Sequence, residues 1–268
     1  MPSFAIDFDA GVMLVSRAAV VQNQNASSVC ARCRERRRPD GTRAWNAGVV
    51  FKLDKTGETV PYSFTGWADG ANPVAGLIRD PTGNFYGTTE YGGASGWGVC
   101  SNSIRSVKTV LHSLVREPAD GANPAAGLIR DSAGNLYGTT TYGGISSACA
   151  GDGCGVVFKL DTTGVETVLH SFTGGADGAN PEAGLIRDSA GNLYGTASGG
   201  GASRQGVVFK VDTTGTETVL YNFTGGADGG FPQAGLIQDS AGNLYGTTYY
   251  GGSGRVSSGN GVVFMLKP

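Results

Sequence analysis

The chain has 268 residues, 20 basic against 22 acidic side chains, and a formal net charge of −2. That balance provides no field that would draw the chain to nucleic acid or an anionic membrane, and no apolar run reaches the length of a membrane span. Glycine is abundant at 46 residues while charged residues make up only 16%, a composition of many tight turns between short strands.

The N-terminal stretch MPSFAIDFDAGVMLVSR lacks the basic start, apolar centre and small-residue cleavage site of a signal peptide. Phe4–Ser16 reads as a worn pair of strands around Asp9-Ala10-Gly11. Residues 1–47 are expected to form a degenerate or irregular segment, and Arg17–Ala47 fits no repeat. It carries the run Arg32, Arg34, Arg36, Arg37 and Arg38, read as a solvated basic stretch, and is predicted to pack poorly. Cys30 and Cys33 form a lone C-x-x-C with no second pair at metal spacing, so they read as incidental rather than as half a zinc site.

Residues 48–268 are a repeat domain. GNFYG or GNLYG begins at Gly83, Gly134, Gly191 and Gly242. An ADG element places Gly70, Gly121, Gly178 and Gly229 each 13 residues earlier. GVVF begins at Gly48, Gly155, Gly206 and Gly261, with a damaged copy at Gly98. From the second glycine of GNxYG to the next GVVF the step varies from 11 to 17 residues, so length variation sits in one loop.

Each unit reads as four strands. In the third, these are Ala183–Arg187, Asn192–Thr196, Val207–Val211 and Glu217–Phe223. The turns Asp188–Gly191 and Asp212–Gly215 place Asp first and Gly fourth, as type I turns prefer. A tight turn at Thr162-Thr163 would set Lys159 opposite Glu166, and its counterpart would set Lys210 opposite Glu217. Four antiparallel strands in about 50 residues is the size of a propeller blade, and such a sheet needs neighbours stacked on it. The expected fold is therefore all-β: a β-propeller of four-stranded antiparallel blades, about five in number with the first degenerate. A four-bladed ring, closed by Glu58–Phe64 pairing with the last unit, and a piece of a larger propeller are the alternatives.

Cys100–Lys108 interrupts the pattern where an FKLD-type strand belongs. Codons exist for this segment that spell FKFDPFGK in another frame, so we read it as the product of a local frameshift. Resequencing the locus checks this; codons incompatible with that reading would sink the idea.

The run GLIRDSAGNLYGTTTYGG…GVVFKLDTTGVETVLHSFTGGADGANP resembles the GloVer tandem repeats of bacterial surface and secreted proteins, and more distantly NHL-type propeller blades. The resemblance covers Gly48 to the C-terminus. It implies a propeller-like fold and an extracellular or cell-surface location, and it brings no catalytic residues.

The recurrent aspartates Asp80, Asp131, Asp188 and Asp239, with Asp161 and Asp212, are read as turn formers. Asp69, Asp120, Asp177 and Asp228, with Asn72, Asn123 and Asn180, lie in the crossovers between blades. They too suit turns, but a ring of them could hold a cation or sugar hydroxyls, and they are the candidate ligand-binding residues. The variable loops should share a face with Asp177 and Asn180, with Asp188 on the other. His112 and His170 share a slot with Tyr62 and Tyr221 and read as packing residues with a polar tip. Cys149 and Cys154, two glycines between them, are a candidate disulfide. No catalytic residue, metal site or cofactor is expected. The function read from these features is a non-enzymatic exported module for binding or scaffolding at the bacterial surface, its partner a glycan or protein, with no nucleic acid. A propeller-type hydrolase or lyase acting on carbohydrate is the alternative, and a purely structural array is a third.

Overall fold

A computed structural model describes residues 19–21, 28–32, 35–37, 43–45, 47–54, 57–104, 107–115, 120–145, 148–252 and 259–268. The first strands are β1 (Ala19–Val21), β2 (Ser28–Arg32), β3 (Glu35–Arg37), β4 (Arg43–Trp45), β5 (Val49–Asp54) and β6 (Gly57–Ser63). Next come β7 (Ile78–Arg79), β8 (Phe85–Thr89), β9 (Val99–Ile104), β10 (Val107–Ser113), β11 (Gly121–Ala122), β12 (Ile129–Arg130), β13 (Leu136–Thr140), β14 (Tyr142–Gly143), β15 (Val156–Leu160) and β16 (Glu166–Ser171). The chain ends with β17 (Ile186–Arg187), β18 (Leu193–Ala197), β19 (Val207–Val211), β20 (Glu217–Asn222), β21 (Ile237–Gln238), β22 (Leu244–Thr247) and β23 (Val263–Leu266).

These strands build five antiparallel sheets, the blades of a β-propeller. Their strand orders are β1-β2-β5-β6, β7-β8-β9-β10, β12-β13-β15-β16, β17-β18-β19-β20 and β21-β22-β23. Small pairs, β3-β4 and β11-β14, lie outside them. The chain stacks its sheets because their inner strands are apolar on both faces. In β15, Val156, Phe158 and Leu160 pack with Leu128 and Cys100, while Val157 packs with the fourth blade through Leu185 and Phe209. A strand buried on both sides needs a neighbour on each.

The glycine that ends GNxY lets the blade core close. A Cβ on Gly138 would lie 2.7 Å from the Phe158 ring, and one on Gly195 would lie 2.6 Å from Phe209. Phe209 in turn meets Phe172 of the third blade edge-on at 5.1 Å, and Phe264 meets Phe223 likewise at 5.1 Å.

Three expectations are corrected. Arg17–Ala47 does contribute to a blade: β2 pairs with β5 from Ser28↔Leu53 to Arg32↔Val49, and β1 pairs with β2. Backbone groups alone can extend a sheet at its edge, so the lack of repeat text did not prevent pairing. Phe4–Ser16 lies outside the described residues. Glu58–Phe64 does not complete the last unit, because β6 pairs with its own neighbour β5. Finally, Lys159 stands opposite Thr167, and Glu166 opposite Leu160; Lys210 likewise faces Thr218. The hairpin loop is one residue longer than a two-residue turn: Gly164, at φ 89°, follows the type I turn before the strand resumes. The outward face of the fifth blade is open, with Val263 80% exposed where its counterpart Val208 is fully buried.

Candidate functional site

The backbone places the two kinds of turn at opposite ends of each blade. At one end of β18, Asp188 N–H donates to the Asn192 carbonyl. At the other end, the crossover residue Ala179 exchanges bonds with Gly199, and Ser198 N–H donates to Asn180 O. The variable loop joins that end, since Gly201 N–H donates to Gly175 O. Asp177, Asn180 and the variable loops therefore share one face, and Asp188 lies on the other.

On the face opposite the loops, each turn Asp gathers the GNxY motif. Asp188 accepts from Asn192 N at 2.8 Å, from its side-chain amide at 2.7 Å and from the Tyr194 hydroxyl at 3.0 Å. Burial works upward on its pKa, but these bonds outweigh it and hold the carboxyl low. This is turn architecture.

The crossover residues also serve the backbone. Asp177 accepts from Thr173 N at 2.8 Å and from the Thr173 hydroxyl. Asp69 accepts from Thr65 N at 2.9 Å, the Thr65 hydroxyl and Tyr62 OH at 2.7 Å. Asp228 accepts from Thr224 N at 2.8 Å, the Thr224 hydroxyl and Tyr221 OH at 3.1 Å. Asn72, Asn123 and Asn180 sit at φ 57°, 57° and 53°, a left-handed conformation that asparagine tolerates. Asn123 and Asn180 donate their side-chain amides to Glu90 O and Thr141 O, both at 3.0 Å, and the Asn72 amide donates to the Glu90 carboxylate.

Asp120 departs from this pattern. Val115 stands where the other three crossovers have threonine, so the hydroxyl donor is missing. Asp120 accepts from Val115 N at 2.9 Å and Gly121 N at 2.6 Å, and its Oδ2 lies 3.4 Å from His112 Nε2. The same Nε2 is 2.6 Å from Oε2 of Glu166, which reaches across from the third blade. Contact with Asp120 first and Glu166 second pushes His112 up to about 10, and burial pushes Glu166 up to about 7. His170 and Asp177 repeat half of this arrangement one blade on, at 3.4 Å. The slot read from sequence as packing with a polar tip thus holds an ionic cluster, and its partner Glu166 was hidden by the assignment to Lys159.

A second feature lies on the variable-loop face. Tyr91, Trp97 and Tyr142 line an open cleft of about 470 Å³ together with Glu90, Asp152 and Glu182. Tyr91 is 50% and Tyr142 39% exposed. Burial raises the pKa of Glu182, whose carboxylate accepts from Ser198 Oγ at 3.3 Å. Of the candidate ligand residues, Asn123 alone borders this cleft. The repeated Tyr-Gly-Gly at Tyr91, Tyr142 and Tyr250 was the sequence signal for it. Cys149 and Cys154 of the longest loop are joined as a disulfide, with Cα atoms 5.4 Å apart. No helix among the described residues is long and apolar enough to cross a membrane.

No protein of curated function matches the sequence. Among solved structures, the extracellular domain of a protein described as a one-component system of B. thetaiotaomicron is similar, with TM-score 0.51 and 12% identity, covering 87% of this chain and 31% of that one. A gluconolactonase of Xanthomonas campestris matches with TM-score 0.45 and 16% identity over 82% of this chain and 69% of its own. The catalytic domain of a Coprinopsis cinerea α-L-arabinofuranosidase matches with TM-score 0.45 and 11% identity over 93% and 89%. At such identities the likeness concerns the fold. The family described as the Gloeobacter/Verrucomicrobia repeat matches residues 40–186 and 146–268, and the chain belongs to that family.

Proposed function

We propose that this chain is a non-enzymatic, exported repeat module that binds glycan at the bacterial cell surface through the variable-loop cleft. The observation that carries the reading is the exposed pair Tyr91 and Tyr142, set beside Trp97 and the carboxylates of Glu90, Asp152 and Glu182. Aromatic rings offer flat apolar faces to sugar C–H groups, and carboxylates accept from sugar hydroxyls. The cleft's size is that of a small-ligand site. Loops that vary in length on a fixed scaffold are where binding usually resides. A disulfide in the adjoining loop suits an oxidising compartment, in agreement with export.

Screening the full chain on a glycan array, followed by calorimetric titration of the hits, tests this. Binding should weaken about tenfold or more in Tyr142→Ala, a loss of about 1.4 kcal/mol. Absence of any glycan ligand, or release of cleaved sugar from a bound one, would overturn it; the latter would favour the hydrolase reading. Fractionation of the source bacterium tests export: recovery of the chain only from the cytosol would contradict it.

A further inference from the structure

We propose that the junction between the second and third blades is a binding site for a divalent metal ion of the zinc class, held by His112 Nε2, Asp120 Oδ2 and Glu166 Oε2. These three atoms come from two blades and lie within 4.8 Å of one another. One imidazole nitrogen with two carboxylate oxygens is a borderline-hard donor set, suited to zinc and its first-row neighbours rather than to calcium.

The spacing fits. Ligands about 2.1 Å from a tetrahedral ion stand about 3.4 Å apart, and His112 Nε2 and Asp120 Oδ2 are 3.4 Å apart. The Glu166 oxygen, 2.6 Å from the same nitrogen, would draw back by less than 1 Å. Two further observations bear on this junction, the first of them shared in part by Glu217 Oε1 at the next one. Glu166 has a side chain only 8% exposed, and both its oxygens are sealed from solvent, their close neighbours being the other two members of the cluster, His112 and Asp120. A buried carboxylate in that condition needs a cation beside it, either the His112 imidazolium or a metal ion in its place. Asp120, moreover, is the crossover aspartate whose threonine partner has become Val115. Its sister Asp177 has its Thr173 hydroxyl, and the metal-spaced group at 4.8 Å forms around His112 alone among the described residues. A solvent water would complete four coordination on the exposed side of His112, which is 23% open.

The ion would tie two blades together by replacing the proton that His112 otherwise holds between two carboxylates. The test is titration of the full, chelator-stripped chain with Zn²⁺, with bound metal counted by mass spectrometry of the dialysed protein. Cys30 and Cys33 offer a competing thiolate pair, so the experiment is repeated on the Cys30→Ser/Cys33→Ser chain. The expected result is one tightly held zinc per chain in both proteins. Affinity should fall at least about tenfold in His112→Tyr, in Glu166→Gln and in Asp120→Asn. His112→Tyr installs the residue that Tyr62 and Tyr221 show at the same slot, so the fold should be kept. Glu217→Gln, at the next junction, should leave the affinity unchanged. Loss of the zinc with the cysteines, binding unaltered by the three substitutions, or no binding at tens of micromolar zinc would each overturn the proposal.

Discussion

The junction of the third and fourth blades and that of the first and second are built on one plan but filled differently. In the former, Phe172 meets Phe209 at 5.1 Å, Phe209 covers Gly195, and both rings are fully buried. In the latter, Ser101 stands in the second blade at the position of Phe158, Phe209 and Phe264. A cavity of about 20 Å³ remains there, bordered by Phe64, Leu77, Phe85, Gly87 and Ser101, with room for one water. Leu77 has leaned into the gap: its Cδ2 lies 2.3 Å from where a Gly87 Cβ would be, against 2.9 Å for Leu185 at Gly195. The sheet nevertheless forms with the same pairing, from Phe85↔Ser103 to Thr89↔Val99. Backbone hydrogen bonding holds the blade, and the phenylalanine holds blade to blade.

Breaking the intact junction should have the largest effect. Phe209→Ser removes a fully buried ring from between two blades and leaves a hydroxyl among apolar groups. It should cost about 3–5 kcal/mol, read as a lower denaturant midpoint in equilibrium unfolding. A cost near zero would show that the junction does not depend on the ring.

The converse change sharpens the comparison. Ser101→Phe restores the repeat residue beside Gly87, which has no side chain to displace, provided that Leu77 swings back. Burying the ring should stabilise the chain by about 1–3 kcal/mol. A destabilised variant would mean that the blade has settled around the serine, and the cavity would then not be the place of a missing ring.

The blade plan was legible because each unit repeats its turn chemistry. Asp first and Gly fourth, then Asn and Tyr, announce a hairpin whose carboxylate the structure shows fully engaged by Asn192 and Tyr194. The opposite placement of Asp177 and Asp188 followed from counting strands. Three things were not legible. Register depends on whether Gly164 adds a residue to the loop, and a one-residue error sends every side chain to the other face. That error paired Glu166 with Lys159 and concealed its contact with His112. The strand β2 was missed because pairing on β5 and β1 needs only backbone groups, and Ser28–Arg32 carries no repeat text. The cleft was missed because its residues come from separate loops, although Tyr91 and Tyr142 recur at one repeat position.

Acid should act alike on both junctions. In the damaged blade Asp80 is held below the usual carboxylate range by Thr82, Asn84 and Tyr86 against the upward push of burial, as Asp131 and Asp188 are held in the intact blades. A carboxyl whose folded pKa is depressed contributes stability that is fully present above its unfolded value, near 3.9, and lost as pH falls through the folded value. Stability should thus be level in this respect at neutral pH and decline below about pH 4. Asp80→Asn and Asp188→Asn should each flatten that decline when unfolding is followed against pH, Asp80→Asn the more because its carboxyl is held lower. A much larger effect at Asp188 would tie the turns to junction packing and break the separation drawn above.

The smallest effect concerns the disulfide beside the intact junction. Cys154 is fully buried within the core that joins the third and fourth blades, while Cys149 is only partly covered. Both sulfurs lie over Gly174 in the crossover, 2.8 and 3.1 Å from where a Cβ would stand. The bridge therefore ties the longest loop to the start of the next blade through contact. It joins cysteines only five apart in sequence, so it removes little entropy from the unfolded chain and should add less than the usual roughly 2–4 kcal/mol. Cys149→Ser, which spares the buried sulfur, should lower the melting temperature by only a few degrees. Amide exchange should quicken in residues 148–155 and at Gly174 while β15 and β19 keep their protection. Loss of protection throughout both strands would mean that the bridge supports the junction itself, placing it with Phe209 rather than with the loop.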